Sequence, residues 1–467
     1  MVMTGDVLDN YGVATAGGLA AALAERRVSA VELFQTAVAA IEAKDGPINA
    51  VVVRDFDRAH DAAIAADAAL ARGERRPLLG VPMTVKDSHH VAGLPTTWGL
   101  TPHKGWTPTW DSTGVARLKA AGAVILGKTN IPVSLGDWQS DNPIYGRTNN
   151  PLDLTRTPGG SSGGGAAALA AGMAALEFGS DIGGSIRVPA HFCGVFGHKP
   201  SFDLIPQTGH APPGFADPGP GVELGVVGPL ARSAADLELA LGVLAGPDGE
   251  TAKGYRLALP SPRAARLSDL RVLVLDQHPV ATADAEVLAV LNTLADGLAG
   301  AGAKVVRADA VAGLPDFGKA HGVYMAMLGA IISRTEPDFS EPITAGTWMD
   351  LLAAQNAIRR RWAGVFETID VVLAPPFGVA AFPHIAEPDW AKRSLTIDGK
   401  PTPYDAQLAW SGIATLANLP ATCVPAGRTA LGLPVGVQVI GPFLEDRTTI
   451  AVADMIGNLR CLERAGP

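Results

Sequence analysis

Apolar and polar positions along the chain alternate between a helical and an extended period. Ser29-Ala-Val-Glu32 is a capping box, and it opens a helix predicted to run toward Lys44. Residues 54–71 are alanine-rich with their charges on one side, the pattern of a second helix. An apolar run at 78–85 predicts a buried strand ending on Lys86-Asp87. A helix at 112–121 and a strand at 123–126 follow. Residues 165–176 are small and apolar all round, which predicts a buried helix. Beyond an amphipathic helix at 233–245, strands are expected at 271–275, 304–306, 371–374 and 435–440. Helices are expected at 283–299 and near 447–460. Strands alternating with helices predict an α/β fold with a mixed or largely parallel central sheet.

Composition narrows the function. In 467 residues, 47% are hydrophobic and 18% charged, which excludes a disordered chain. The 37 Lys and Arg against 46 Asp and Glu leave a net charge of −9, so no global attraction to nucleic acid or an anionic membrane is expected. Cys193, Cys423 and Cys461 are far apart and form no CxxC pair, as suits a reducing compartment. The first ten residues are too polar and acidic for an export signal, and no apolar stretch is long enough to span a bilayer. The expected location is the cytoplasm.

Three motifs compete for the chemistry. Gly122-Ala-Val-Ile-Leu-Gly127-Lys128-Thr129 fits the phosphate-loop pattern letter for letter. Its four middle residues prefer a strand, however, and Pro132 stands where the following helix should continue, so a buried strand entering a turn is expected. Gly159-Gly-Ser161-Ser162-Gly-Gly-Gly165 can be read as a nucleophile elbow, but the preceding segment is polar and broken by Pro158 instead of forming a strand. Gly179-Ser-Asp181-Ile182-Gly183-Gly184-Ser185-Ile-Arg187 is a glycine turn whose successive N–H groups can converge on a developing oxyanion, with a serine at its end. No HExxH or SxxK occurs; no metal site and no cofactor are expected.

Taken together, Val81-Pro-Met-Thr-Val-Lys86-Asp87, Pro158-Gly-Gly-Ser161-Ser-Gly-Gly164 and Ser180-Asp-Ile-Gly-Gly-Ser185-Ile-Arg-Val-Pro-Ala190 resemble the amidase signature family. The likeness is strongest over about residues 78–233. It implies a single α/β/α catalytic domain over residues 1–467 around a large mixed sheet. It also implies a Ser-Ser-Lys triad: Ser185 as nucleophile, Ser161 as bridging serine after a cis peptide bond, and Lys86 as general base. The N–H groups of Ile182, Gly183, Gly184 and Ser185 would form the oxyanion hole. Ser162 would support the triad, and Asp181 with Arg187 would brace the turn. A lysine can serve as base only if its pKa falls far below about 10.4, which burial at a strand end supplies.

Leu135, Gly136 and Trp138 fall where family members line the acyl side of the pocket; Trp138 is read either as an aromatic wall or as core. Residues 211–221 form an expected loop near the pocket mouth and depart from the glutamine-hydrolysing component of tRNA-dependent amidotransferases. The expected activity is hydrolysis of small aryl or alkyl amides, with carbamates (urethanes) and esters within reach, by a monomer or homodimer through an acyl-enzyme. Alternatives are a Ser-His-Asp hydrolase and an amidotransferase A-type subunit.

Overall fold

A computed structural model describes residues 4–215, 221–334 and 340–465. The sheet strands are β1 (Val51–Arg54), β2 (Pro82–Lys86), β3 (Val124–Thr129), β4 (Leu176–Asp181), β5 (Phe196–Lys199), β6 (Val226–Ala231), β7 (Arg271–Val274), β8 (Lys304–Arg307), β9 (Val371–Ala374), β10 (Ala421–Arg428) and β11 (Pro434–Ile440). They form one 11-stranded sheet in the order β1-β3-β2-β4-β6-β5-β10-β11-β9-β7-β8. Pairing is parallel at β3-β2-β4 and at β9-β7-β8, and antiparallel elsewhere.

Both faces of this sheet are covered, and alternate residues along a strand show it. Val371 and Leu373 of β9 join one apolar cluster with Val272 and Val274 of β7, while Val372, Ala374 and Leu273 join another. Side chains of a strand point to opposite faces in turn, so two clusters on one strand mean two packed layers. The layers come from α1 (Ala30–Ile48), α2 (Phe56–Ala71), α3 (Thr113–Ala120), α4 (Gly163–Ala170), α5 (Arg187–Cys193), α6 (Ala234–Leu244), α7 (Ala285–Gly300), α8 (Phe317–Ile332), α9 (Ala345–Val365), α10 (Leu408–Thr415) and α11 (Asp446–Ala465). The Ser29 capping box at α1 forms as predicted, the Ser29 side chain accepting from the Glu32 N–H and Glu32 accepting from the Ser29 N–H at 2.8 Å.

Three expectations need correction or completion. The helix predicted over 165–176 is α4, which ends at Ala170; Gly172 (φ 72°) turns the chain, the Met173 N–H bonds the Ala168 carbonyl, and Leu176 onward is the central strand β4. An all-apolar buried run carries no periodicity, so only the turn glycine separates the helix from the strand. Arg54, expected to open the second helix, is the last residue of β1, and that helix begins at Phe56. The phosphate-loop pattern is indeed a strand: Lys128 and Thr129 close the fully buried β3, with the Lys128 ammonium 3.1 Å from the Asp87 carboxylate. Of the loop expected at 211–221, positions 216–220 lie outside the described residues.

Candidate active site

Lys86, the last residue of β2, points into a pocket of hydroxyls made by two loops. The loop leading into α4 brings Ser161 and Ser162, and the peptide bond between Gly160 and Ser161 is cis. The end of β4 brings Ser180. Lys86 Nζ lies 2.6 Å from Ser161 Oγ, 3.0 Å from Ser162 Oγ and 2.9 Å from Ser180 Oγ. All four side chains are buried. Burial pushes the Lys86 pKa down to about 7, against the opposing pull of the Asp181 and Glu177 carboxylates. A neutral amine donates two hydrogen bonds and accepts one, so three surrounding hydroxyls satisfy it in its basic form.

Ser185 follows the glycine turn after β4 and is 6% exposed. Its carbonyl accepts from the Ser162 N–H at 3.1 Å, a main-chain bond that ties the two serine loops together. Among the described residues no hydrogen bond joins the Ser185 hydroxyl to Ser161. Catalytic contacts are often loose before substrate arrives, and rotation of either serine about χ1 re-aims its hydroxyl.

The turn itself is held from several sides. Gly184 has φ 90°, and a Cβ there would collide with the Ser411 hydroxyl, so only glycine fits. Asp181 accepts from the N–H of Gly184 at 2.9 Å and of Ile186 at 3.0 Å. This corrects one expectation: the Gly184 N–H already has an acceptor and is not free for an oxyanion. The N–H groups of Ile182, Gly183 and Ser185 have no acceptor among the described residues. Arg187 clamps Asp181 with two bonds, Nε to Oδ2 at 3.0 Å and Nη2 to Oδ1 at 2.9 Å, both side chains fully buried. Its remaining donors reach Ser411, Thr415 and Gln438. Burial raises the Asp181 pKa, but the Arg187 charge and the donated hydrogen bonds outweigh it and hold the carboxyl at about 2.

The three residues expected along the acyl side separate by depth. Gly136 is exposed and Leu135 half-buried, together forming an outer turn. Trp138 is core: its ring packs against Phe377, Trp390 and Tyr404, and its Nε1 donates to the Gly183 carbonyl at 2.9 Å. The indole therefore grips the turn and does not form an open wall. A surface cavity of about 300 Å³ beside α2, lined by Arg58, Arg76 and Lys119 among others, touches none of these residues.

Sequence reasoning passed over three groups. Ser180 stood inside the quoted motif, and its contact with Lys86 follows once β4 is recognised as a strand. Glu177 faces Lys86 because Thr84 pairs with Glu177 across β2 and β4, placing Lys86 two residues further on the same face. Burial raises the Glu177 pKa to about 7, and its Oε1 accepts from the Thr129 hydroxyl at 2.7 Å. Tyr324, on α8, donates to the Ile182 carbonyl at 2.8 Å; no local signal in the sequence connects it to the turn.

His210 Nε2 lies 3.0 Å from Ser88 Oγ, and the serine hydroxyls around Lys86 are met by the amine instead. His89 packs on Phe178 and faces the Gly179 carbonyl, His191 bonds Val379 and Gly436, and the buried His198–Asp446 pair is completed by Thr422. Among the described residues no group of three or more His, Cys, Asp or Glu side chains could hold a metal ion, and no helix is long and apolar enough to cross a membrane.

Comparison with known proteins bears on the family and the fold. The family model described as Amidase matches residues 32–330 and 323–450. The putative amidase AmiB2 of Mycobacterium bovis is 35% identical, over 97% of this chain and 98% of its own length. The A-type subunit of the glutamyl-tRNA(Gln) amidotransferase of Roseiflexus castenholzii is 34% identical, over 92% of this chain and 93% of its own. An inhibitor-bound structure of a vestigial protein complex, solved in connection with the origins of an s-triazine catabolic enzyme, superposes with TM-score 0.81 at 29% identity, covering 95% of this chain and 98% of that one. The chain belongs to the amidase family. It is a hydrolase of amide C–N bonds, on a fold its solved relatives share.

Proposed function

We propose that Ser185 attacks the carbonyl carbon of a small amide, with Lys86 as the base and Ser161 as the proton relay. As the Ser185 Oγ–carbon bond forms, the Ser185 proton passes to Ser161 Oγ and the Ser161 proton to Lys86 Nζ. The carbonyl oxygen takes the negative charge and is met by the free N–H groups of Ile182, Gly183 and Ser185. Collapse breaks the C–N bond, and the proton returns through Ser161 to the departing amine. Water then repeats the sequence on the acyl-enzyme and releases the acid. The observation that carries this reading is the 2.6 Å contact between Ser161 and a buried Lys86 whose pKa lies at about 7.

The substrate class is small aryl and alkyl amides, extending to carbamates and esters, whose carbonyls present the same carbon and oxygen to the turn. The catalytic unit is the whole chain, residues 1–467, acting as a monomer or homodimer without metal, cofactor or nucleic acid. The thiols of Cys193 and Cys423 are free and buried, which supports a reducing cytoplasm as its place of work.

The test is a panel of p-nitroanilides, primary amides including glutamine, phenyl carbamates and phenyl esters, run on wild type, Ser185→Ala, Lys86→Ala and Ser161→Ala. Anilides and carbamates should turn over and Ser185→Ala should be inactive. Ser161→Ala should lose roughly 10²–10⁴-fold, the range of a proton-transfer contribution. A fluorophosphonate should add once, on the Ser185 peptide. The assignment is wrong if Lys86→Ala keeps wild-type amidase activity with an unchanged pH profile, or if the adduct sits on Ser161 or Ser162.

A further inference from the structure

We infer that Tyr324 is a positioning residue for catalysis, aiming the Gly183 N–H at the substrate carbonyl by holding the peptide plane before it, with Trp138 fixing the next plane. This rests on the proposed role of the glycine turn. A trans peptide points its C=O and N–H in opposite directions, so a bond to the carbonyl sets the direction of the N–H. The Ile182 carbonyl accepts from Tyr324 Oη at 2.8 Å, and the Gly183 N–H of that same plane is left without an acceptor among the described residues. The Gly183 carbonyl accepts from Trp138 Nε1 at 2.9 Å, and the N–H of that second plane, on Gly184, meets Asp181 at 2.9 Å. The second plane is thus pinned at both ends. The first is pinned at one end only, and its open end is the donor.

Both anchoring side chains are themselves buried. Tyr324 is 0% and Trp138 2% exposed, in one apolar cluster with Leu224, Met327, Phe377 and Leu408. The Tyr324 ring lies against Gly412 of α10, where a Cβ would meet the ring at 2.8 Å. Gly183 has no Cβ to restrict its backbone, so without these two donors the turn could rotate its peptide planes. An oxyanion hole is effective because its donors are already oriented when charge develops. Tyr324 supplies that orientation from a helix distant in sequence.

Tyr324→Phe removes one hydroxyl and keeps the ring. On a p-nitroanilide substrate its kcat should fall about 10- to 100-fold with KM within about twofold of wild type, less than the roughly 10²–10³-fold cost of deleting a donor outright. Phenylboronic acid, which adds the serine oxygen to give a tetrahedral anion, should bind more weakly by a similar factor. Fluorophosphonate should still label Ser185. Trp138→Phe should shift kcat in the same direction and provides a second variant should the first fail to fold. A Tyr324→Phe enzyme with unchanged kcat and boronate affinity, or with KM alone raised, overturns the inference while leaving the Ser185 reading standing. A Ser185→Ala enzyme that retains activity overturns both.

Discussion

At the scale of single residues, the site is governed by what burial does to Lys86. Its base form predominates above about pH 7, so kcat/KM should rise through an acid limb centred near that pH. Glu177 faces it on the same side of the sheet and stabilises its charged form. Glu177→Gln removes that carboxylate, and the limb should move to lower pH; a limb that stays in place would show that Glu177 has no electrostatic hold on the base. Stability carries the same signature. Between about pH 7 and the ordinary lysine range, the unfolded chain holds a proton on Lys86 that the folded chain does not, so wild-type stability rises with pH there. Lys86→Met lacks that group. It should be the more stable protein at pH 6, its advantage shrinking across the window by up to about 1.4 kcal/mol per pH unit, as urea unfolding at several pH values will show.

Much of this was legible because the chemistry is local in sequence. Lys86, Ser161 and Ser185 each sit in a short glycine- or proline-marked motif whose residues announce an unusual backbone. Glu177 and Tyr324 were not legible for opposite reasons. The side that Glu177 faces depends on strand register, which a run of buried residues does not reveal. Tyr324 depends on how a helix more than a hundred positions away crosses the turn.

At the scale of elements, the passage from β4 to α5 shows how the turn is kept rigid. Asp181 ends the strand and Arg187 starts the helix, and their buried pair spans the loop that carries Ser185. Breaking one partner of such a pair leaves an uncompensated buried charge, so Asp181→Asn should cost about 3–5 kcal/mol by urea unfolding and should also depress kcat. A loss below about 1 kcal/mol would mean that the loop is held by its other contacts. The Asp181 contribution is fully present at neutral pH and disappears as pH falls from the ordinary aspartate range through about 2. The helix expected over 165–176 belongs to this scale as well. Local preference favoured one long buried helix, while the pairing demands of the central sheet and the turn at Gly172 divide it into helix and strand.

At the scale of the whole molecule, the sheet passes without interruption from the strands that carry the site to those at the far edge, and apolar clusters fill both of its faces. A chain built on one such sheet should unfold cooperatively. Tryptophan fluorescence, summed over eight indoles that include Trp138 near the site and Trp362 beside β7 and β9, should lose its native signal at the same urea concentration as far-ultraviolet circular dichroism. Two separated transitions would divide the chain into independent parts.

The reach of the Arg187 side chain has a further consequence for how the enzyme comes into being. Beyond Asp181, its guanidinium bonds Ser411, Thr415 and Gln438, which the ribosome adds long after Lys86, Ser161 and Ser185 have emerged. A nascent chain stalled short of α10 already holds Lys86, Ser161 and Ser185, with Asp181, Trp138 and Tyr324 to hold the turn, yet Arg187 still lacks its partners on α10 and β11. The full bracing of the loop that carries Ser185 is therefore complete only once the last fifth of the chain has been added.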